Sequence, residues 1–132
     1  MANGVRVLVG PSLDVTIPGG PYDPDSMTGW TFVAHRSALQ WSYRNRSGAP
    51  PEGVTRLTIR EITSGDTPTV RFELQGGDGR YVDLAANPSL VAGVVLDPGR
   101  VLRVLCGEAR FSDDANDAHC RVKQGGGALA CH

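Results

Sequence analysis

The chain has 132 residues, of which 40% are hydrophobic, so residues 1–132 are expected to fold as one domain with its own core. This composition excludes a disordered tail, and no apolar run approaches the roughly 18 residues of a membrane-spanning helix. Thirteen Lys and Arg residues stand against 14 Asp and Glu residues, and the resulting net charge of −1 argues against a nucleic-acid-binding protein.

Apolar and polar residues alternate with a period of two through the first half of the chain, which is the pattern of half-buried strands. Val5, Val7 and Val9 are the first example. The predicted strands are 5–9, 13–17, 30–35, 39–44 and 55–60. Residues 18–29 and 45–53 are rich in turn-forming residues and are predicted to be connections.

The second half continues the same pattern. The predicted segments are a strand over 70–74, a glycine-rich turn over 76–79, a return strand over 81–84, two more apolar strands over 91–96 and 101–106, a short strand at 109–111, a polar loop at 113–117, and a final hairpin of 120–124 and 128–131. The two more uniformly apolar strands are expected to be covered on both faces. The fold class predicted from the sequence is all-β, an antiparallel sandwich or Greek-key barrel of about ten short strands.

Three cysteines lie in the last quarter of the chain: Cys106, Cys120 and Cys131. In a hairpin that turns at Gly125 and Gly126, Cys120 and Cys131 lie opposite each other, so a disulfide between them is geometrically possible. Cys106 could instead bridge to either one, and the sequence does not choose. The alternative is three buried thiols. The spacing does not predict a zinc site.

Two groups of residues are candidates for ligand binding. The first is the oxygen-rich set Asp113, Asp114, Asn116 and Asp117, a possible calcium site or simply a solvated loop. The second is aromatic: Tyr22 and Trp30 are candidates for stacking on a sugar ring, against the alternative of core packing. Trp41 alternates with polar neighbours and is predicted to lie in the core.

No catalytic residue is predicted, because the chain lacks both the G-x-S-x-G and the H-E-x-x-H motifs. A nucleophile pair of Cys106 and His119 is the enzymatic alternative, and a disulfide at Cys106 would forbid it.

Several short motifs carry a resemblance. They are W-x-Y-x-N at 41–45, G-V-T-R-L-x-I-R at 53–60, a V-x-F-x-L segment leading through glycines to a tyrosine at 70–81, C-G-E-x-x-F at 106–111, and the terminal cysteine pair with Val122 and Leu129. In this pattern the chain resembles an uncharacterised β-rich domain of large secreted bacterial proteins. The motifs span about three-quarters of the chain.

The resemblance implies a secreted or cell-surface location, and it favours a mature or excised piece of a secreted protein over the alternative, a cytosolic chain with buried thiols. It implies no reaction. We therefore expect a non-catalytic extracellular β-module with a structural, adhesive or assembly role; a carbohydrate- or calcium-binding module is the alternative. The expected partners are other protein modules or surface glycans, and no cofactor is expected unless calcium binds.

Overall fold

A computed structural model describes residues 1–11, 13–64, 67–77, 90–96, 105–111, 120–123 and 128–131. These residues form ten strands and one 3-10 turn at Pro51–Gly53. The strands are β1 Val5–Val9, β2 Leu13–Ile17, β3 Thr28–His35, β4 Ala38–Asn45, β5 Val54–Ser64, β6 Thr67–Gly77, β7 Leu90–Leu96, β8 Leu105–Phe111, β9 Cys120–Lys123 and β10 Ala128–Cys131.

The strands form two antiparallel sheets that pack against each other. One sheet has four strands in the order β2-β1-β7-β8, and the other has six in the order β3-β4-β5-β6-β10-β9. Every strand pair among the described residues is antiparallel. The molecule is therefore an antiparallel β-sandwich, which confirms the fold class predicted from the sequence.

The core lies between the sheets and follows directly from the period-two alternation. In β1 and β2 the odd-numbered apolar residues are buried, while Arg6 and Asp14 between them face solvent. The residues that fill the core from both sheets are Val5, Val7, Val9, Leu13, Val15, Ile17, Trp30, Tyr43, Val54, Leu57, Ile59, Leu74, Ala92 and Val94. Branched aliphatic residues supply most of this cluster, and they suit a pleated, half-buried surface.

Trp30 joins the loop after β2 to the start of the six-stranded sheet. Its indole Nε1 donates a hydrogen bond to the carbonyl oxygen of Pro18 at 2.9 Å, so this buried polar atom is satisfied. The preceding residue, Gly29, has a φ of 127°, and a Cβ there would lie 2.3 Å from the carbonyl oxygen of Pro21. Only glycine fits at this close approach of two backbone segments.

Four predicted elements differ from the structure. Gly76 and Gly77 were expected in a turn but are the last residues of β6, paired with β10. β7 is not covered on both faces, because Val91 is 42% exposed. The strands predicted at 101–106 and 109–111 are represented by one strand, Leu105–Phe111. The predicted return strand 81–84 and residues 101–104 lie outside the described residues.

No helix in the described part of the chain is long and apolar enough to cross a membrane.

Candidate functional site

The inner face of the six-stranded sheet carries two cross-strand rows of large apolar side chains. The register aligns Trp30, Tyr43, Leu57 and Leu74 in the first row, and all four are buried. The second row, which we call the aromatic row, consists of Phe32, Trp41, Ile59 and Phe72. The rows lie on the same face because corresponding residues are two positions apart in each strand.

The aromatic row marks the end of the core. Ile59 is 2% exposed, whereas its neighbours Trp41 and Phe72 are only partly buried and Phe32 is 55% exposed. The rings of Phe32 and Trp41 lie 5.3 Å apart between centroids and are tilted by 37°, a favourable arrangement for an aromatic pair. The row therefore presents an aromatic surface to solvent at one end of the sandwich.

The structure corrects the sequence-based assignment of the aromatic residues. Trp30, predicted as a stacking candidate, is 6% exposed and its ring packs beside Tyr43, so it offers no free face to a ligand. Tyr22, the other candidate, is half-buried in the loop before β3. Trp41, predicted in the core, lies at its edge. Phe32 was missed as a surface residue, because alternation groups it with Trp30.

The outer face of the same sheet is polar and rich in arginine. Arg44 of β4 lies directly opposite Arg56 of β5, and Arg60 of β5 lies directly opposite Arg71 of β6. Between these pairs runs a row of neutral or acidic side chains: Thr31, Ser42, Thr58 and Glu73. We call the surface formed by these two arginine pairs, with the nearby Arg46, the arginine face.

Such pairs are unusual, because like charges directly opposite each other destabilise a sheet. Among the described residues, ion pairs join Arg6 to Asp14 and Arg110 to Glu108, and neither involves the arginine face. The row between the arginine pairs contains one carboxylate, that of Glu73. Glu73 lies directly opposite Thr58 and not opposite an arginine. The local charge of this surface is thus strongly positive although the chain carries a net charge of −1.

A cleft of about 240 Å³ opens at one end of the arginine face. It is lined by Arg44, Asn45, Arg46, Thr55, Arg56 and Gln75. The register of β5 against β6 shifts between Val54 and Arg56, which is a β-bulge. The hydroxyl of Thr55 donates to the carbonyl oxygen of Gln75 at 3.3 Å and fixes the bulged residue. Bulges redirect side chains and are common beside functional sites.

A hydrogen-bond network anchors the backbone of Arg46, which lines the cleft. The side-chain amide of the buried Asn45 donates to the Tyr43 hydroxyl at 3.1 Å, and its oxygen accepts bonds from the backbone and hydroxyl of Ser47 at 2.9 and 2.7 Å. The backbone N–H of Arg46 donates to the carbonyl oxygen of Met27 at 3.0 Å. The turn after β4 is therefore anchored to the core, and with it the backbone of Arg46.

Two exposed carboxylates serve local structure. The Arg6 guanidinium donates two hydrogen bonds to Asp14, at 2.8 and 2.6 Å, and lowers the pKa of that carboxyl. In the loop before β3, hydrogen bonds from the Ser26 hydroxyl and from the backbone of Asp25 and Ser26 lower the pKa of Asp23. Asp23 thus closes an Asx turn, a common use of aspartate in loops.

The cysteine hairpin has the backbone register predicted from the sequence. β9 and β10 pair antiparallel, with Cys120 directly opposite Cys131. Cys106 lies in β8 of the other sheet. The calcium candidates Asp113, Asp114, Asn116 and Asp117 lie outside the described residues, as does His119. In the described ranges, no cluster of three or more His, Cys, Asp or Glu residues could hold a metal ion.

Comparison with known proteins gives no relative of this chain. No protein family, no curated protein and no solved structure matches it significantly.

Proposed function

We propose that this chain is a non-catalytic adhesive module of a secreted or cell-surface protein, and that it adheres to acidic partners through the arginine face. The observation that carries the proposal is the direct cross-strand pairing of Arg44 with Arg56 and of Arg60 with Arg71. The resemblance of the sequence motifs to a β-rich domain of secreted bacterial proteins supports the secreted location.

The pairing supports a binding role because it lowers the stability of the free protein. Each pair places two positive charges at adjacent positions of neighbouring strands, where an oppositely charged or neutral residue would be more favourable. A bound anion removes this repulsion. Arginine also suits the role, because its planar guanidinium binds carboxylate and sulfate groups with two parallel hydrogen bonds.

The test is binding to immobilised dextran sulfate and polygalacturonate, with neutral dextran as the reference. We expect binding to both acidic polymers that weakens as salt is raised, because exposed charges are screened. Replacing Arg60 and Arg71 together by glutamine should weaken it. The matched control replaces Arg36 and Arg110, two exposed arginines outside the face, and changes the net charge equally.

Three outcomes would overturn the proposal. The first is that neither acidic polymer binds. The second is an equal loss of binding in the control variant, which would mean that binding depends on the net charge of the protein rather than on the arginine face. Equal or tighter binding to double-stranded DNA at the same ionic strength would redirect the assignment to nucleic acid.

The aromatic row favours a second candidate function, stacking on neutral sugars. Phe32 is 55% exposed beside Trp41, and aromatic faces pack on the apolar faces of sugar rings. Trp41 and Trp30 are the two tryptophans of the chain, so quenching of tryptophan fluorescence by a neutral oligosaccharide would report on this surface. Loss of that quenching in Phe32→Ala, with the fold intact, would support the second function. Titration without any quenching would exclude it.

A further inference from the structure

We infer that the cleft at the β5 bulge is a binding site for a single oxyanion of an acidic glycan, a uronate carboxylate or a sulfate ester. The inference rests on the proposed function and deepens it, because it assigns direct hydrogen bonds with the ligand to one part of the arginine face. The other arginines of the face would attract an acidic partner by their charge alone.

The cleft is lined by three arginines and by no acidic residue. The arginines are Arg44, Arg46 and Arg56, and the other lining residues, Asn45, Thr55 and Gln75, are neutral. Guanidinium groups are donors only, so neighbouring arginines cannot satisfy one another. An oxyanion, which is an acceptor only, is the complementary group.

Arg56 provides an independent observation. Its Nε is buried and has no hydrogen-bond partner, and it is the one such side-chain atom among the described residues. A buried donor without an acceptor is destabilising, and more so when the group is charged. An oxygen of an oxyanion seated in the cleft, with a small rotation of the Arg56 side chain, would supply the missing acceptor and remove this cost.

The size of the cleft limits what it holds. Its volume of about 240 Å³ is smaller than the roughly 300–1,000 Å³ of pockets that enclose whole small-molecule ligands. A single charged group that projects from a larger partner fits better than a complete metabolite. The partner therefore lies along the sheet and inserts one group here.

A glycan is favoured over an acidic peptide by the surroundings of the cleft. The row next to the cleft presents two threonines, Thr31 and Thr58. The Thr31 hydroxyl donates to the carbonyl oxygen of Ser42 at 3.3 Å, and its oxygen can accept a hydrogen bond from a sugar hydroxyl. The Thr58 hydroxyl can both donate to and accept from a sugar hydroxyl. Peptides that bind sheets commonly add a strand at an edge. This cleft instead involves β4, β5 and β6, and β5 is an interior strand.

The experiment measures the affinity of short soluble ligands by calorimetry: an oligogalacturonate, a sulfated oligosaccharide and their neutral counterparts. Binding of either acidic ligand, with weak or no binding of the neutral ones, is expected. The two acidic arms distinguish a carboxylate from a sulfate ester. Arg56→Gln should reduce the affinity by about tenfold or more, because it removes charge-assisted hydrogen bonds.

Two further variants separate a specific contact from general attraction. Arg56→Lys keeps the charge but loses the planar fork, so its affinity should fall well below that of the unaltered protein. Arg36→Gln, at an exposed arginine outside the arginine face, should leave the affinity for the short ligands within about twofold, because a distant exposed charge is screened. Circular dichroism and thermal unfolding of each variant establish that the sheet is intact.

Each failure has its own signature. If the polymers bind but Arg56→Gln leaves oligosaccharide affinity unchanged, the cleft is not the site and the adhesive function stands. If neither polymers nor oligosaccharides bind, the proposed function itself fails. If a short poly-glutamate peptide binds as tightly as the oligosaccharides and depends equally on Arg56, the cleft recognises negative charge in general and the glycan assignment is wrong.

Discussion

Leu57 and Arg56 are neighbours in β5, yet the two rows to which they belong differ in what they do for the fold. The row of Leu57 aligns it with Tyr43 and Leu74, all buried between the sheets. The row of Arg56 aligns it with Arg44 and Gln75 on the outer face. The first row is explained by the burial of apolar surface. The second places like charges together and leaves a buried donor without an acceptor, which stability alone does not explain.

A bulge separates these two environments at the start of the strand. Because the register shifts between Val54 and Arg56, Thr55 and Arg56 together oppose Gln75, while Val54 and Leu57 remain in the core. The distortion costs the sheet one regular pairing and gives the outer face a cleft. Burial of apolar surface accounts for the inner row, and the proposed binding function would account for the outer row.

The largest expected effect is on the inner row. Leu57→Ala should lower the free energy of unfolding by about 2–5 kcal/mol, because it removes buried methyl groups and leaves a cavity. The measurement is chemical denaturation followed by circular dichroism. Thr58→Ala, one residue along and on the outer face, is the matched control and should change stability by about 0.5 kcal/mol or less. Equal effects of the two substitutions would contradict the assignment of inner and outer faces.

The second effect concerns the far end of the same sheet, where the register aligns Cys131 with Leu74 on one side and with Cys120 on the other. If the chain is secreted, we predict a disulfide between Cys120 and Cys131 and one remaining thiol. Closing this short loop should stabilise the fold by about 2–4 kcal/mol. Thiol titration of the denatured, non-reduced protein measures the number of free thiols.

Serine variants test the pairing. Cys106→Ser should keep the bridge and leave no titratable thiol, whereas Cys131→Ser should leave two. Three thiols in the unaltered protein after oxidising purification would argue against the bridge and weaken the extracellular assignment. A peptide map that joins Cys106 to Cys131 would keep the location but overturn the hairpin pairing.

The sequence predicted those features that depend on local pattern. Alternation placed the strands that contain Val5, Leu13 and Leu57, and the three glycines between Lys123 and Ala128 predicted the hairpin with Cys120 opposite Cys131. Both depend on residues close together in the chain. The turn expected at Gly76 was wrong because β6 pairs with β10, a distant segment, and continues through the glycine pair.

The candidate sites could not be predicted in this way. Whether Trp30 or Trp41 is buried depends on how far the four-stranded sheet covers the six-stranded one. β1 and β2 have five residues each, whereas β3 and β4 have eight, so one end of the longer strands is left partly uncovered. The arginine pairs could not be predicted from the sequence either. Arg44 and Arg56 are far apart in the chain, and only the strand register, with its bulge in β5, places them opposite each other.

A smaller effect, of opposite sign, is expected on the outer row. Arg56→Gln should leave the free protein as stable as before or raise its free energy of unfolding by about 0.2–1 kcal/mol, because it removes the repulsion from Arg44. Denaturation at low and high salt measures this. The gain should shrink at high salt, where the repulsion is screened. A loss of stability that salt does not change would show that the Arg56 stem contributes packing that outweighs the repulsion.

The smallest effect contrasts the arginine face with Arg6, an arginine paired with a carboxylate, whose two hydrogen bonds to Asp14 lower the pKa of that carboxyl. Because the folded-state pKa of Asp14 is below its ordinary value of 3.8, the stabilisation is present above that value and is lost as the pH falls through the lower folded-state pKa. The pKa of Asp23 is also lowered, by hydrogen bonds from Ser26 and from the backbone, so Asp23 changes stability with pH in the same direction. We expect stability to decline as the pH falls below the ordinary carboxyl pKa of 3.8, and Asp14→Asn to make that decline shallower. Asp25→Asn, in the Asp23 loop, is the control for the loss of one carboxylate. Equal flattening by both variants would mean that the acid response reflects overall charge rather than the Arg6 pair.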